Sequence, residues 1–196
     1  MRFFIIITVL ASLAPWAVFP TSAQFGNPGG LDPATRESAP GVPAPGQTNI
    51  PDRLFTTLAA QGGIAEVELG KLAQQKSRNE MVSAFAQQMI DDHSKSNTQL
   101  AQLAKEVGLP LPSEPAPDQL QTRQKLSMLS QEQFEAEYMR VQVTEHQKTV
   151  QLLLWVIASG ENSDLHHFAS ETLPTVLHQL QRAQNLVSQL TGAVTP

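Results

Sequence analysis

The sequence predicts an all-α protein built as a four-helix bundle. Four long stretches between residues 51 and 192 carry apolar side chains at steps of three and four, the spacing that places them on one face of an α-helix. No alternating run of β-branched residues, typical of strands, occurs in the chain. The links between the stretches are short or rich in proline, as in helical bundles. An additional short helix is predicted between the second and third long helices.

Residues 1–23 are predicted to be a secretory signal peptide. Arg2 precedes a mostly apolar segment, and small residues up to Ala23 form a cleavage pattern, so cleavage is expected near Ala23. Pro15 interrupts the apolar segment, which favours a cleaved peptide over the alternative of an uncleaved membrane anchor. No transmembrane span is expected after cleavage, and the protein is predicted to be periplasmic or secreted.

Residues 24–50 are rich in Pro and Gly and poor in apolar side chains, so a disordered linker is predicted there. The alternative is a tether or a partner-binding arm. Residues 51–192 then form the bundle domain. Because the chain has no cysteine, its core rather than disulfides must hold it together. A formal charge of −5 without basic clusters argues against a nucleic-acid partner.

The first two long helices are predicted over residues 51–76 and 79–107. Asn79 is the expected N-cap of the second helix, and Gly108 ends it. Gly62 lies in the apolar stripe of the first helix, where a glycine lets a neighbouring backbone approach closely. The stripes consist of Phe55, Leu58, Ala65, Leu69 and Leu72 in the first helix and of Val82, Ala86, Met89, Leu100, Leu103 and Val107 in the second.

The short helix is predicted over residues 118–129. The third long helix follows Ser130, which forms a capping-box pattern with Gln133 three residues later. The last helix starts near Ser163, and Pro174 inside it is expected to kink it or split it into two.

Residues 152–157, at the end of the third long helix, are apolar on nearly every side. One side is therefore expected to pack on a second subunit or another partner, with Trp155 in the core or the interface. A homo-oligomer is one arrangement that this pattern predicts.

Three long helices carry polar residues near their midpoints. The stripe of the second helix continues onto His93 with Asp92 beside it, Glu145 and His146 interrupt the stripe of the third, and Glu66 and Glu68 lie near the middle of the first. Because midpoints meet in an antiparallel bundle, these groups are expected to share one layer. Converging imidazoles and carboxylates can hold a transition metal such as iron or zinc. The candidate metal ligands are therefore His93, His146, Glu68, Asp92 and Glu145.

The competing hypothesis is a structural polar layer in which His93 pairs with a carboxylate and fixes the helix register. It is the favoured one, because the Glu-x-x-His motif of di-iron bundles is absent: Ile90 and Val143 stand three residues before His93 and His146. Glu66, on the shoulder of its stripe, is expected to be solvated or paired to a neighbouring helix. The remaining histidines, His166, His167 and His178, are expected at the surface.

No catalytic or cofactor-binding residues are predicted. The chain has no thiol nucleophile, no Gly-rich phosphate loop and no Gly-x-Ser-x-Gly elbow. A non-enzymatic role is therefore the favoured interpretation.

Several short motifs follow one another in order over nearly all of residues 52–190. They are Phe55-x-x-x-Ala59-Ala60-Gln61-Gly62-Gly63, Glu66-Val67-Glu68-Leu69-Gly70, Phe85-Ala86-Gln87-x-Met89 with Asp92-His93-Ser94, Phe134-Glu135 with Tyr138, Glu145-His146-x-Lys148, and Phe168-Ala169 with Thr172-Leu173-Pro174-Thr175. As a set they resemble a bacterial exported family, the domain of unknown function forty-one forty-two. The resemblance implies a ferritin-like helical bundle in the periplasm, often labelled an outer-membrane protein, and it implies no established activity.

The chain departs from this family in ways that bear on the polar layer. The family commonly has Asp at the positions of Glu135 and Glu145, and His at the position of Gln179. Glutamine is a poor metal ligand but an adequate hydrogen-bond partner, which favours the structural layer. The predicted function is a non-enzymatic binding or envelope-stress-associated module with a protein or small-molecule partner. The alternative is a metal-binding or metal-dependent redox protein.

Overall fold

The computed structural model describes residues 47–192. The predicted signal peptide and residues 24–46 of the predicted linker lie outside the described residues, as do residues 193–196. The described part contains five α-helices and no β-strand, so the predicted all-α class is confirmed. The helices are α1 (Ile50–Lys76), α2 (Glu80–Glu106), α3 (Pro117–Ser127), α4 (Gln131–Ser159) and α5 (Ser163–Gly192).

The four long helices form an antiparallel ring. The pairs in contact are α1–α2, α1–α4, α4–α5 and α2–α5, which places α2 and α4 diagonally across the centre of the bundle. The short helix α3 lies in the long connection from α2 to α4 and packs on α1 and α4. On this side of the bundle Lys76 Nζ donates to the carbonyl oxygen of Ser127 at 2.7 Å. Among residues 47–192, no helix is long and apolar enough to cross a membrane.

The hydrophobic core consists of two clusters, one on each side of the middle of the bundle. The cluster at the α1–α2 turn is built around Phe85, Met89, Phe134 and Met139. The cluster at the α4–α5 turn contains Phe55 of α1, Leu100 of α2, Leu153 and Val156 of α4, and Leu165 and Phe168 of α5. The polar side chains described below separate the two clusters.

Both ends of α2 follow capping rules, whereas the cap predicted for α4 is wrong. Asn79 caps α2 as predicted, since its Oδ1 accepts from the backbone amides of Met81 and Val82. Gly108, with φ of 70°, follows the end of α2 in the left-handed conformation that favours glycine. The Ser130 hydroxyl, however, donates to Gln133 Oε1 at 3.0 Å instead of accepting from the backbone, so the predicted capping box does not form.

Asp52 joins the start of α1 to the turn between α4 and α5. Its fully buried carboxylate accepts hydrogen bonds at Oδ2 from the backbone amides of Asn49, Glu161 and Asn162, at 2.9, 3.1 and 3.1 Å. The Asn162 side chain in turn accepts from the amide of Leu165 at 2.9 Å and so caps α5. One carboxylate thereby holds three helix ends together.

Two glycines of α1 let α2 approach closely, but Gly62, the glycine predicted from the apolar stripe, is not one of them. A Cβ on Gly63 would overlap with Asn97 Oδ1, and one on Gly70 would lie 2.9 Å from the carbonyl oxygen of Ala86. A Cβ on Gly62 would have nothing nearer than 3.9 Å. The close approach is therefore made by Gly63 and Gly70, one heptad apart.

One further expectation about an individual residue is wrong, and another is wrong in part. Leu58, placed in the apolar stripe, is 48% exposed. Pro174 was expected to kink or split the last helix, and the split does not occur, because α5 is continuous from Ser163 to Gly192. Pro174 and Ser170 are both exposed, so water can hydrate the Ser170 carbonyl that has lost its helical partner.

Glu135 of α4 closes the turn between α1 and α2. One carboxylate oxygen accepts from the amides of Arg78 and Asn79 and from the Ser77 hydroxyl, at 2.9, 3.1 and 2.9 Å. Partial burial raises the pKa of Glu135, but these hydrogen bonds lower it more, so the net pKa is below its ordinary value of 4.5. The charged form therefore favours the folded state.

We expect Glu135→Ala to lower the free energy of unfolding by about 1 kcal/mol at pH 7, because three donors lose their acceptor at a partly exposed site. Since the folded-state pKa is depressed, this contribution is present above pH 4.5 and is lost as the pH falls through the folded-state pKa. Urea unfolding of both proteins at pH 7 and at about pH 3 measures this. A difference between the proteins that does not shrink at low pH would contradict the assignment.

Candidate functional site in the middle of the bundle

Two histidines from diagonal helices meet at the centre of the bundle. The rings of His93 on α2 and His146 on α4 have centroids 6.0 Å apart and planes at 83°. Phe85 packs against His146, at 6.2 Å between centroids. The prediction that these two histidines share one layer is confirmed by this contact.

The hydrogen bonding of His146 determines which nitrogen is free. Its Nδ1 donates to the carbonyl oxygen of Gln142, one turn earlier, at 2.8 Å. A carbonyl can only accept, so Nδ1 carries a proton, and Nε2 is the nitrogen that remains for a further ligand. Ligand histidines of metal sites are commonly oriented by such a bond from the second ring nitrogen.

Four buried polar atoms of this region have no hydrogen-bond partner among residues 47–192. They are Nε2 of His93, Nε2 of His146, Oε1 of Gln142 and the hydroxyl oxygen of Tyr138. Tyr138, Gln142 and His146 follow one another at steps of four on α4 and are each at most 2% exposed. Because most buried polar atoms in proteins are hydrogen-bonded, this concentration needs an explanation.

Glu66 belongs to this layer, as its place near the middle of α1 predicts. It was expected to be solvated or paired to a neighbouring helix, and the pairing is what occurs: Glu66 is only 4% exposed and accepts a hydrogen bond from Gln142 Nε2 of α4 at 2.7 Å. Burial raises its pKa, more than the neighbouring His146 and the bond from Gln142 lower it. Its position between Gly63 and Gly70 on α1 also indicates burial, because small residues at steps of three and four mark a buried line.

The carboxylates proposed as ligands from the sequence are engaged by other side chains. Glu68 is partly exposed and pairs with Arg123 at 3.4 Å, and Glu145 pairs with Lys148 at 2.7 Å. Asp92 lies beside His93, but its Oδ2 accepts from amide groups as described below. Within residues 47–192, no group of three or more His, Asp or Glu side chains is arranged to hold a metal ion.

Asp92 is held by two glutamines. Gln88 Nε2 donates to Asp92 Oδ2 at 3.1 Å, and Gln179 Nε2 of α5 donates to the same oxygen at 2.8 Å. Arg182 in turn donates to the Gln88 carbonyl oxygen. Gln179 therefore acts as a hydrogen-bond partner, as predicted from its amide group.

The imidazole of His93 is held neutral. Burial and, to a smaller extent, the neighbouring His146 lower its pKa to about 3, although Asp92 opposes both effects. A neutral imidazole keeps the lone pair that a metal ion or a hydrogen-bond donor requires. Burial, together with Glu66, also raises the pKa of Tyr138 well above its ordinary value, so its hydroxyl keeps its proton.

An open cleft between α2 and α5 leads to His93. It has a volume of about 500 Å³ and is lined by His93 and Asp92 together with the carboxylates of Glu106, Asp164 and Glu171. His93 also lines a separate cavity of about 50 Å³. The imidazole thus lies between the solvent-facing cleft and the interior.

The other histidines lie outside this layer. His178 and His167 are exposed as predicted, and His167 pairs with Glu171 at 3.1 Å. His166 was expected at the surface but is half-buried, because its Nε2 lies 2.9 Å from the carbonyl oxygen of Ile157 at the end of α4. Leu154 and Trp155 of the apolar run are 50% and 39% exposed.

The comparisons with known proteins agree with this all-helical architecture. The family model for the domain of unknown function DUF4142 matches residues 37–186. The chain belongs to this family. This confirms the resemblance read from the sequence motifs, while the ferritin-like detail stays a prediction.

Two solved structures of DUF305 proteins are similar in fold. A fragment from Deinococcus radiodurans has a TM-score of 0.65 at 15% identity, covering 72% of this chain and 98% of that one. A candidate secreted protein from Streptomyces coelicolor has a TM-score of 0.62 at 14% identity, covering 70% and 90%. No curated protein matches the chain. At these identities the likeness concerns the fold alone.

Proposed function

We propose that this DUF4142 protein is an exported, non-enzymatic binding module whose ligand is a metal ion held by His93 and His146. One observation carries the proposal: two imidazole nitrogens, both buried and both without a partner among residues 47–192, belong to rings with centroids 6.0 Å apart. If the two imidazoles had only a structural role, their Nε2 atoms would be expected to form hydrogen bonds with neighbouring groups. The predicted ligands Glu68 and Glu145 are left out of the proposed site, because they form ion pairs with other side chains.

Burial of the pair favours binding over catalysis. Catalytic metal sites keep a coordination position open for water or substrate. Here both Nε2 atoms are buried, so an ion between them would present no such position to solvent. The α2–α5 cleft supports access for cations, because its walls carry the carboxylates of Glu106, Asp164 and Glu171.

Export is the second part of the proposal. It is supported by the signal-peptide pattern of residues 1–23 and by the fold likeness to a candidate secreted protein. The protein is accordingly proposed to act in the periplasm or outside the cell. An envelope-stress association stays a prediction from the sequence.

Metal binding is tested on the exported protein, purified without chelators or a polyhistidine tag. We expect elemental analysis after metal loading to give about one ion per chain. A metal at about 100 times its Kd should add about 2.7 kcal/mol to the free energy of unfolding. That corresponds to a rise in melting temperature of about 5–10 °C.

His93→Ala and His146→Ala should each abolish this rise, and His178→Ala, at an exposed position of α5, is the matched control. Circular dichroism establishes that each variant is folded. If added metal leaves the melting temperature of the wild-type protein unchanged, the metal proposal is wrong. The structural-layer hypothesis would then be supported if His93→Leu melts at the same temperature or higher.

A further inference from the structure

We propose that the ion bound between His93 and His146 is a soft monovalent ion of the copper(I) class, held by two nitrogens in line, and not zinc or iron(II). This inference rests on the proposed metal-binding function and names the class of ion. Three features of the described residues support it: the number of available ligands, the separation of the rings, and a buried thioether side chain one helical turn before His93.

The ligand count comes first. Structural zinc sites use four protein ligands and catalytic ones three, whereas no group of three His, Asp or Glu side chains is arranged for a metal among residues 47–192. The nearby carboxylates have other partners: Glu66 accepts from Gln142, and Asp92 accepts from Gln88 and Gln179. The Nε2 atoms of the two imidazoles are the metal-binding donors that lack a hydrogen-bond partner among residues 47–192. Monovalent ions with a filled d shell commonly bind only two ligands.

The distance between the rings gives the second argument. A ligating imidazole nitrogen lies about 2.0–2.1 Å from the ion, with the ring centroid about 1 Å farther away. Two imidazoles on opposite sides of one ion therefore have centroids about 6 Å apart, and two at the tetrahedral angle about 5 Å apart. The observed separation of 6.0 Å between His93 and His146 fits the in-line arrangement.

A soft donor also lies next to the pair. Met89 is fully buried and stands one helical turn before His93, so both side chains are on the same face of α2. Thioether ligands select copper(I) over harder ions. This neighbour favours the same class of ion as the ligand count does.

The experiment compares silver(I) and anaerobic, reductant-stabilised copper(I) with zinc(II) and iron(II) on the full exported protein. We expect about one equivalent of either monovalent ion to survive desalting, with a Kd at least about 100-fold below that of zinc. X-ray absorption at the copper edge should show two nitrogen neighbours at about 2 Å. His93→Gln and His146→Gln should release the monovalent ion, while His178→Gln should retain it.

The possible results separate this inference from the function on which it rests. Zinc retained as tightly as silver, and lost in the His93 and His146 variants, would keep the metal site but overturn the monovalent assignment. Three or four light neighbours in the copper spectrum would overturn it too, even if a variant failed to fold. No retention of any metal would instead overturn the proposed function itself.

Discussion

Asp52→Ala is expected to lower the free energy of unfolding by about 3–5 kcal/mol, the largest effect of a single substitution that we predict. The carboxylate is fully buried, and its Oδ2 is the acceptor for the amides of Asn49, Glu161 and Asn162. Alanine would remove the acceptor at a junction of three helix ends, and each buried amide left without a partner costs about 1–3 kcal/mol. Chemical denaturation followed by circular dichroism measures the loss.

Two control variants make this prediction specific. Asp52→Asn retains a side-chain oxygen that can accept, so we expect it to cost roughly half as much as alanine. Asp91→Ala removes an exposed carboxylate bonded by Gln87 on the same helix, and it should change stability by less than about 0.5 kcal/mol. If Asp52→Ala were no more destabilising than Asp91→Ala, the carboxylate would not hold the three ends together.

Alanine at two glycines of α1 is expected to change stability in opposite directions. At Gly70 the new Cβ would lie 2.8 Å from Ile90 Cγ1 and 2.9 Å from the Ala86 carbonyl oxygen. Because one of these neighbours is backbone, α2 would have to move, at a cost of about 2–3 kcal/mol. At Gly62 the nearest atom is the Gln119 side-chain nitrogen at 3.9 Å. Here the better helix propensity of alanine should stabilise the protein by about 1 kcal/mol.

The two glycine variants control for each other, since both replace a glycine in the interior of the same helix. We expect the melting temperature of Gly70→Ala to fall by about 5–10 °C and that of Gly62→Ala to rise by about 2–4 °C. Equal shifts of the same sign would mean that helix propensity alone determines the stability of both variants, and that α1 and α2 are not in close contact at Gly70.

The positions of the helices could be predicted from the sequence because helix formation depends mostly on nearby residues. The steps of three and four among apolar residues, Asn79 at the start of α2 and the glycine after its end are local features, and the helices begin and end close to the predicted residues. The polar break at His93 and His146 was also visible, since a polar residue at a stripe position has to lie inside.

The partners of buried polar groups could not be predicted in this way. Glu66 meets Gln142, which is 76 positions away along the chain, and Asp52 meets Asn162 110 positions away. The apolar stripe of α1 also led to a wrong prediction of how this helix is rotated about its axis. The side that packs against the neighbouring helices includes the small residues Gly63 and Gly70, which the stripe left out. That rotation buries Glu66 and leaves Leu58 partly in solvent.

The sequence by itself determined an all-α chain, its helix boundaries and a pair of histidines at the same depth. The tertiary structure decided which groups accompany that pair: Glu66 and Gln142 lie inside, while Glu68 and Glu145 form ion pairs with Arg123 and Lys148. The physical reason is that helical periodicity fixes the direction of a side chain relative to its own helix. Only packing between helices fixes how that helix is rotated and which distant side chain it meets.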